Sequence, residues 1–138
     1  MPDMKEINRQ IIAEFRANAG KLSGRFGKMP MLLLTTIGAK SGEARTMPLA
    51  YSTDGDRVVI IASQGGAPTN PAWYHNILLN PEVTVEVGPD KYQARASVVE
   101  SPERERLFDQ QAELIPVFQE YKKITARIVP VVVLDRID

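Results

Sequence analysis

A chain of 138 residues with 43% hydrophobic and 25% charged content makes one globular domain, long enough to bury about two-thirds of its unfolded surface. Its 17 basic and 17 acidic residues cancel, so no overall field draws in nucleic acid. With no cysteine and the single histidine His75, it has no disulfide framework, thiolate nucleophile or multi-histidine metal site, which points to a bound cofactor rather than side chains for any chemistry.

Residues 4–19 read as a helix. Ile7, Ile11, Ile12, Phe15 and Ala19 recur at spacings of three and four, Lys5, Glu6, Arg9, Gln10, Glu14 and Arg16 take the other face, and Gly20 ends the run. Such a helix docks on its domain or, as a peripheral arm, closes a pocket or touches a membrane surface. Docking is the simpler expectation. Residues 21–28 are basic and glycine-containing and read as a mobile connection, which sets 1–28 apart from a main domain over 29–138. No segment approaches the ~20 apolar residues of a membrane span, and the N-terminus lacks a signal-peptide core. The expectation is a cytoplasmic protein, at most peripheral at the inner face of the membrane.

Residues 31–37 and 46–52 read as paired strands, and Asp54-Gly55 signals a turn before a third strand over 57–62. Residues 58–62 are continuously apolar, the pattern of a strand buried on both faces. Regular structure breaks at 63–71, and 72–79 fits a short helix opening after Pro71 and closing at Asn80-Pro81. Residues 83–87 alternate, Gly88-Pro89-Asp90 turns, and 92–99 returns. Ser101 as N-cap, Pro102 at the first helical position and Glu103 in the first turn open a helix to about Leu114. Pro116 separates it from a helix over 117–126, and 130–134 is the last strand. About six antiparallel strands with peripheral helices describe an α+β, mainly β fold, a small barrel.

Two loops invite a ligand. Between the first two strands, Gly38 and Gly42 bracket a turn carrying Lys40 and Ser41, and Arg45 leads the next strand. Glycines let successive backbone N–H groups converge on an anion, and Lys, Ser and Arg add charge and hydrogen bonds. It is not a P-loop, because Ala39 stands where that motif has Gly before the Lys; the plainer alternative is a polar hairpin turn. The second loop, Ser63-Gln64-Gly65-Gly66, leaves a buried strand and feeds a helix N-terminus at Asn70-Pro71, where free N–H groups attract an anion. Trp73 and Tyr74 offer a flat face to a heterocycle, or pack in the core. His75 has no identifiable partner, and Asp54 and Asp56 suit turn chemistry. Phe118 and Tyr121, three apart, share a helix face that lines a pocket or covers the barrel.

Together these segments resemble the deazaflavin-dependent nitroreductase family of actinobacteria. The resemblance rests on residues 32–42 with Arg45 and Pro48-Leu49, Asp54-Gly55, 62–66, 70–76, 80–83 and 128–133, in order along most of the chain. It implies a split β-barrel of the FMN-binding type that holds coenzyme F420, an 8-hydroxy-5-deazaflavin with a phospholactyl–oligoglutamate tail. Lys40, Ser41 and Arg45 would hold the anionic tail. Met47, Pro48, Ile61, Ala62, Ser63, Gln64, Gly65, Gly66, Trp73 and Asn76 would complete the cofactor site. Ile115, Phe118, Tyr121 and Trp73 would face the substrate, with Tyr121 as the catalytic proton donor and solvent as the alternative source. The family commonly has Arg where Ala39 stands and Lys where Gln64 stands, and its best-known member has tyrosines where Ile115 and Phe118 stand. The implied activity is hydride transfer from reduced F420 to a small hydrophobic, electron-poor acceptor such as an enone, quinone or nitro compound. The alternatives are FMN on the same barrel, and a non-catalytic barrel binding lipid or the deazaflavin. A homodimer is compatible with each.

Overall fold

The computed structural model describes residues 4–24, 27, 29–63, 69–124 and 128–137. Its elements are α1 (Met4–Ala17), β1 (Met31–Ile37), β2 (Ala44–Ala50), β3 (Ser52–Asp54), β4 (Arg57–Ile61), α2 (Ala72–Leu79), β5 (Glu82–Val87), β6 (Asp90–Val98), α3 (Glu103–Leu114), α4 (Val117–Ile124) and β7 (Val131–Arg136). The seven strands make one antiparallel sheet in the order β2-β1-β5-β6-β7-β4-β3.

That order dictates the shape. β2 and β3 are the two outermost strands, yet Tyr51 alone separates them in sequence. The sheet must therefore curl until its edges meet at Tyr51, which makes it a split β-barrel. The stretch expected as one strand over 46–52 is two, because the pairing with β1 ends as the Tyr51 N–H donates to the Pro30 carbonyl at 3.1 Å, and Ser52 pairs with Val59 of β4 instead. Pro48 sits in an edge strand, where a missing N–H costs no ladder bond.

Alternation along the strands divides the apolar residues between two cores. Leu32, Leu34, Val58, Ile60, Val83, Val85, Val132 and Leu134 point into the barrel, where Trp73 and Ile77 of α2 join them. Val59, Ile61, Val131 and Val133 point outward and are covered by Leu107, Phe108 and Ala112 of α3, Ile115, and Phe118 of α4. β4 and β7 are thus buried on both faces, and this explains their unbroken apolar runs.

α3 begins one residue later than expected: Pro102 is its N-cap, without a side-chain cap bond. The Ser101 hydroxyl donates instead to Glu105 Oε1 at 2.6 Å. The β3–β4 hairpin is tied to α3 by ion pairs from Arg57 to Glu103 at 2.8 Å and from Asp54 to Arg106 at 3.2 Å. Arg106 and Arg57 hold the Asp54 carboxyl down at about 2.

α1 docks along its length, with Asn8 bonded to Met47 of β2 and the C-terminal half held against β5. Phe15 is buried, and Arg16 grips Glu86 of β5 with Nε–Oε1 at 3.1 Å and Nη2–Oε2 at 2.9 Å. Gly20 then passes the β5–β6 turn so closely that a Cβ on it would lie 2.5 Å from Gly88 Cα, and its φ of +91° is open to glycine. No described helix is long and apolar enough to cross a membrane.

Candidate functional site

A cavity of about 540 Å3 opens where the barrel is split. Four consecutive residues of β2, Met47 to Ala50, reach it, because both faces of an edge strand are accessible there. Ile61 and Ser63, two apart at the end of β4, face it together with Pro71 and Trp73. α4 supplies Val117, Phe118 and Tyr121, the last two rings meeting edge to face at 5.4 Å. α1 supplies Ile7, Asn8 and Ile11, and Met29 and Met31 close the remaining side. The walls are mostly apolar, with polar side chains at Asn8, Ser63 and Tyr121. This is the size and lining of a small-molecule site, for which ~300–1,000 Å3 is usual.

Of the residues that the sequence analysis assigns to a site, the cavity brings together Met47, Pro48, Ile61, Ser63, Trp73, Phe118 and Tyr121. Trp73 serves two purposes, since it is also part of the inner core. Ala62 and Ile115 do not reach the cavity. Ala62 alternates to the inside of the barrel and is fully buried there, and Ile115 packs beneath α3 with the outer core. Gln64, Gly65 and Gly66 lie outside the described residues.

The β1–β2 turn is built differently from a backbone anion cradle. Its N–H groups are largely spent within the protein: Gly38 donates to the Glu43 carbonyl at 2.8 Å and Gly42 to the Gly38 carbonyl at 2.9 Å. Ala39 donates to Asn76 Oδ1 at 2.9 Å and Glu43 to Ser41 Oγ at 3.1 Å. A side chain at Gly38 would meet Ser41 Oγ at 2.5 Å, so the glycine there permits the turn to close. What the turn offers an anion is side-chain charge, from exposed Lys40 and from Arg45, which pairs with Glu43 at 3.3 Å. Arg45 shares a strand face with Met47, about 7 Å along β2 from the cavity wall.

Asn76, assigned above to cofactor contact, has its side chain committed elsewhere. It is buried, accepts from Ala39 and donates to Thr36 Oγ1 at 3.0 Å, so its amide fixes the turn to α2. His75 is exposed beside Tyr74, with ring centroids 5.8 Å apart. Among the described residues no group of acidic or histidine side chains is arranged for a metal.

Sequence reasoning missed Ile7, Asn8, Ile11, Met29 and Met31. A signal existed: outside the first four residues the methionines are Met29, Met31 and Met47, and all three line this cavity. Thioether side chains adapt to differently shaped flat ligands.

The family model described as F420H(2)-dependent quinone reductase matches residues 7–136. An F420H(2)-dependent quinone reductase of Mycobacterium tuberculosis is 41% identical over 128 residues, covering 90% of this chain and 86% of that protein. Among solved structures, an F420-H2 dependent reductase (FDR-A) is 36% identical with a TM-score of 0.71, over 77% of this chain and 94% of that one. A domain-swapped dimer is 31% identical with a TM-score of 0.73, over 92% of this chain and 95% of that one.

Proposed function

The chain belongs to the F420H(2)-dependent quinone reductase family, and from that premise we propose that the split-barrel cavity is where it reduces a quinone with reduced coenzyme F420. The observation that carries the reading is the joining, along β2, of an apolar cavity at Met47–Ala50 with a cationic turn at Lys40 and Arg45. A cofactor with a flat ring and a polyanionic tail needs that pair of surfaces side by side. The residues fit the group: Met47, Pro48, Ile61 and Trp73 would wall the ring, and Lys40 and Arg45 would meet the tail through charge-assisted hydrogen bonds.

When bound, the reduced coenzyme supplies a hydride from C5. The quinone takes that hydride with one proton and leaves as the hydroquinone. The chain's own part is to orient the acceptor between the methionine-rich wall and α4, to exclude water, and to deliver the proton, a role assigned to the Tyr121 hydroxyl. Enones and activated nitro compounds make the same electronic demand and belong to the same substrate range. A homodimer is part of this reading, supported by the domain-swapped dimer among the structural neighbours.

The test is to mix protein, reduced coenzyme and menadione and to follow the deazaflavin absorbance. Oxidation in proportion to protein supports the reading. No oxidation above a protein-free control, across a panel of quinones, enones and nitroarenes, would overturn it.

A further inference from the structure

We infer that Asn8 selects the acceptor, its side-chain amide donating a hydrogen bond to a carbonyl oxygen of a quinone held in the cavity. This rests on the quinone-reductase reading above and deepens it.

Asn8 lies on the inward stripe of α1, three residues from Ile11 and seven from Phe15. Its neighbours on that stripe are aliphatic or aromatic, and a polar amide among them costs stability unless something compensates. Within the described residues its one side-chain hydrogen bond runs from Nδ2 to Met47 Sδ at 3.6 Å. A thioether is a weak acceptor, so a carbonyl oxygen entering the cavity exchanges for it at a gain. The helix is already held in place for this purpose. Phe15, the Arg16–Glu86 pair and the Gly20–Gly88 contact fix its C-terminal end, and two turns further up Asn8 stands over the cavity.

The other polar side chains on the lining are Ser63 and Tyr121, which come from different elements. Two donors from separate elements, Asn8 on α1 and Tyr121 on α4, suit a quinone, which has two carbonyl oxygens to receive them. An enone, with a single oxygen, can satisfy only one of them. Asn8 is therefore assigned the quinone-over-enone preference, leaving the coenzyme to other residues.

The experiment uses the full chain and its Asn8→Leu and Asn8→Ala variants, both of which keep a good helix former at position 8. KM and kcat are measured with menadione and with cyclohexenone, and coenzyme affinity with Trp73 fluorescence. Expected is a rise of about tenfold in KM for menadione in both variants, a smaller rise for cyclohexenone, and coenzyme affinity within twofold of the parent. Menadione KM unchanged in both variants, or coenzyme affinity falling in step with it, would overturn the assignment. Should the unmodified protein not turn over, the quinone-reductase reading fails by itself. Equilibrium binding of menadione to the parent and to the variants then decides on Asn8, with equal affinities counting against it.

Discussion

Asn76 and Ala39, 37 residues apart in sequence, are joined by a 2.9 Å bond in which the side-chain oxygen of α2 accepts a backbone N–H of the β1–β2 turn. Because Asn76 also donates to Thr36, a single amide fixes both ends of the segment that leads into Lys40. The position of the cationic turn is therefore set from inside the barrel.

Replacing Asn76 with Leu leaves the Ala39 N–H and the Thr36 hydroxyl without their partner. Stability should fall by about 1–3 kcal/mol in urea unfolding, the range for one buried and one part-buried hydrogen bond lost together. Coenzyme binding should weaken as well, although Asn76 lies outside the cavity lining. A stable variant with parent-like affinity would show that the turn positions itself.

Lys40→Ala and Arg45→Ala should each weaken coenzyme binding by about 1 kcal/mol, the upper end for exposed ion pairs, because both side chains are exposed. Raising the salt concentration should weaken the parent and affect the variants less. Equal affinity in all three proteins, insensitive to salt, would place the anionic tail elsewhere.

Much of the fold was legible in the sequence because burial imposes pattern. The runs Val58–Ile61 and Val131–Leu134 are apolar at every position since the inner core claims one face and α3 and α4 the other. The break at Tyr51 was not legible, because a strand that leaves one sheet edge to join the other differs from a straight strand only in its partners, β1 up to Ala50 and β4 from Ser52. Similarly, the glycines at 38 and 42 marked a turn correctly without revealing that its N–H groups are satisfied internally. Trp73 and Met47 enter the expected cofactor site through the family resemblance rather than through their types, and both line the cavity. Asn8 and Ile11 could not be read as site residues, since nothing in the sequence says onto which part of the domain α1 folds.

The Arg16–Glu86 pair gives α1 docking a pH dependence. The hydrogen bond from Arg16 holds the Glu86 carboxyl below the usual carboxylate range. A depressed native pKa means that the stabilisation is complete above the unfolded value of about 4.3 and is lost as pH falls through the native one. Thermal unfolding of the parent should therefore lose stability below about pH 4.5 more steeply than Glu86→Gln, which has no charge to lose. Parallel curves would mean that the pair contributes nothing.

Deleting residues 1–20 should leave a barrel that unfolds cooperatively, because every strand lies beyond residue 30. It should unfold at a lower temperature, having exposed the surface that Phe15 covers, and should lose menadione turnover along with one cavity wall. Loss of the cooperative transition would make α1 part of the folding unit.

Tyr121→Phe keeps the ring packed edge to face against Phe118 and removes the hydroxyl alone. If that hydroxyl delivers the proton, kcat should fall about 10²-fold with coenzyme affinity unchanged. Turnover within a few-fold of the parent would assign the proton to solvent and leave Tyr121 as packing.

Trp73 is the single tryptophan of the chain and lines the cavity, so its emission reports from that site alone. Titrating the protein with coenzyme F420 and, separately, with FMN tests most directly whether the cavity holds the deazaflavin. Saturable quenching by the deazaflavin, tighter than by FMN and weakened in Arg45→Ala, is the outcome expected from an apolar wall joined to a cationic turn. No response to the deazaflavin, or tighter binding of FMN, would contradict it.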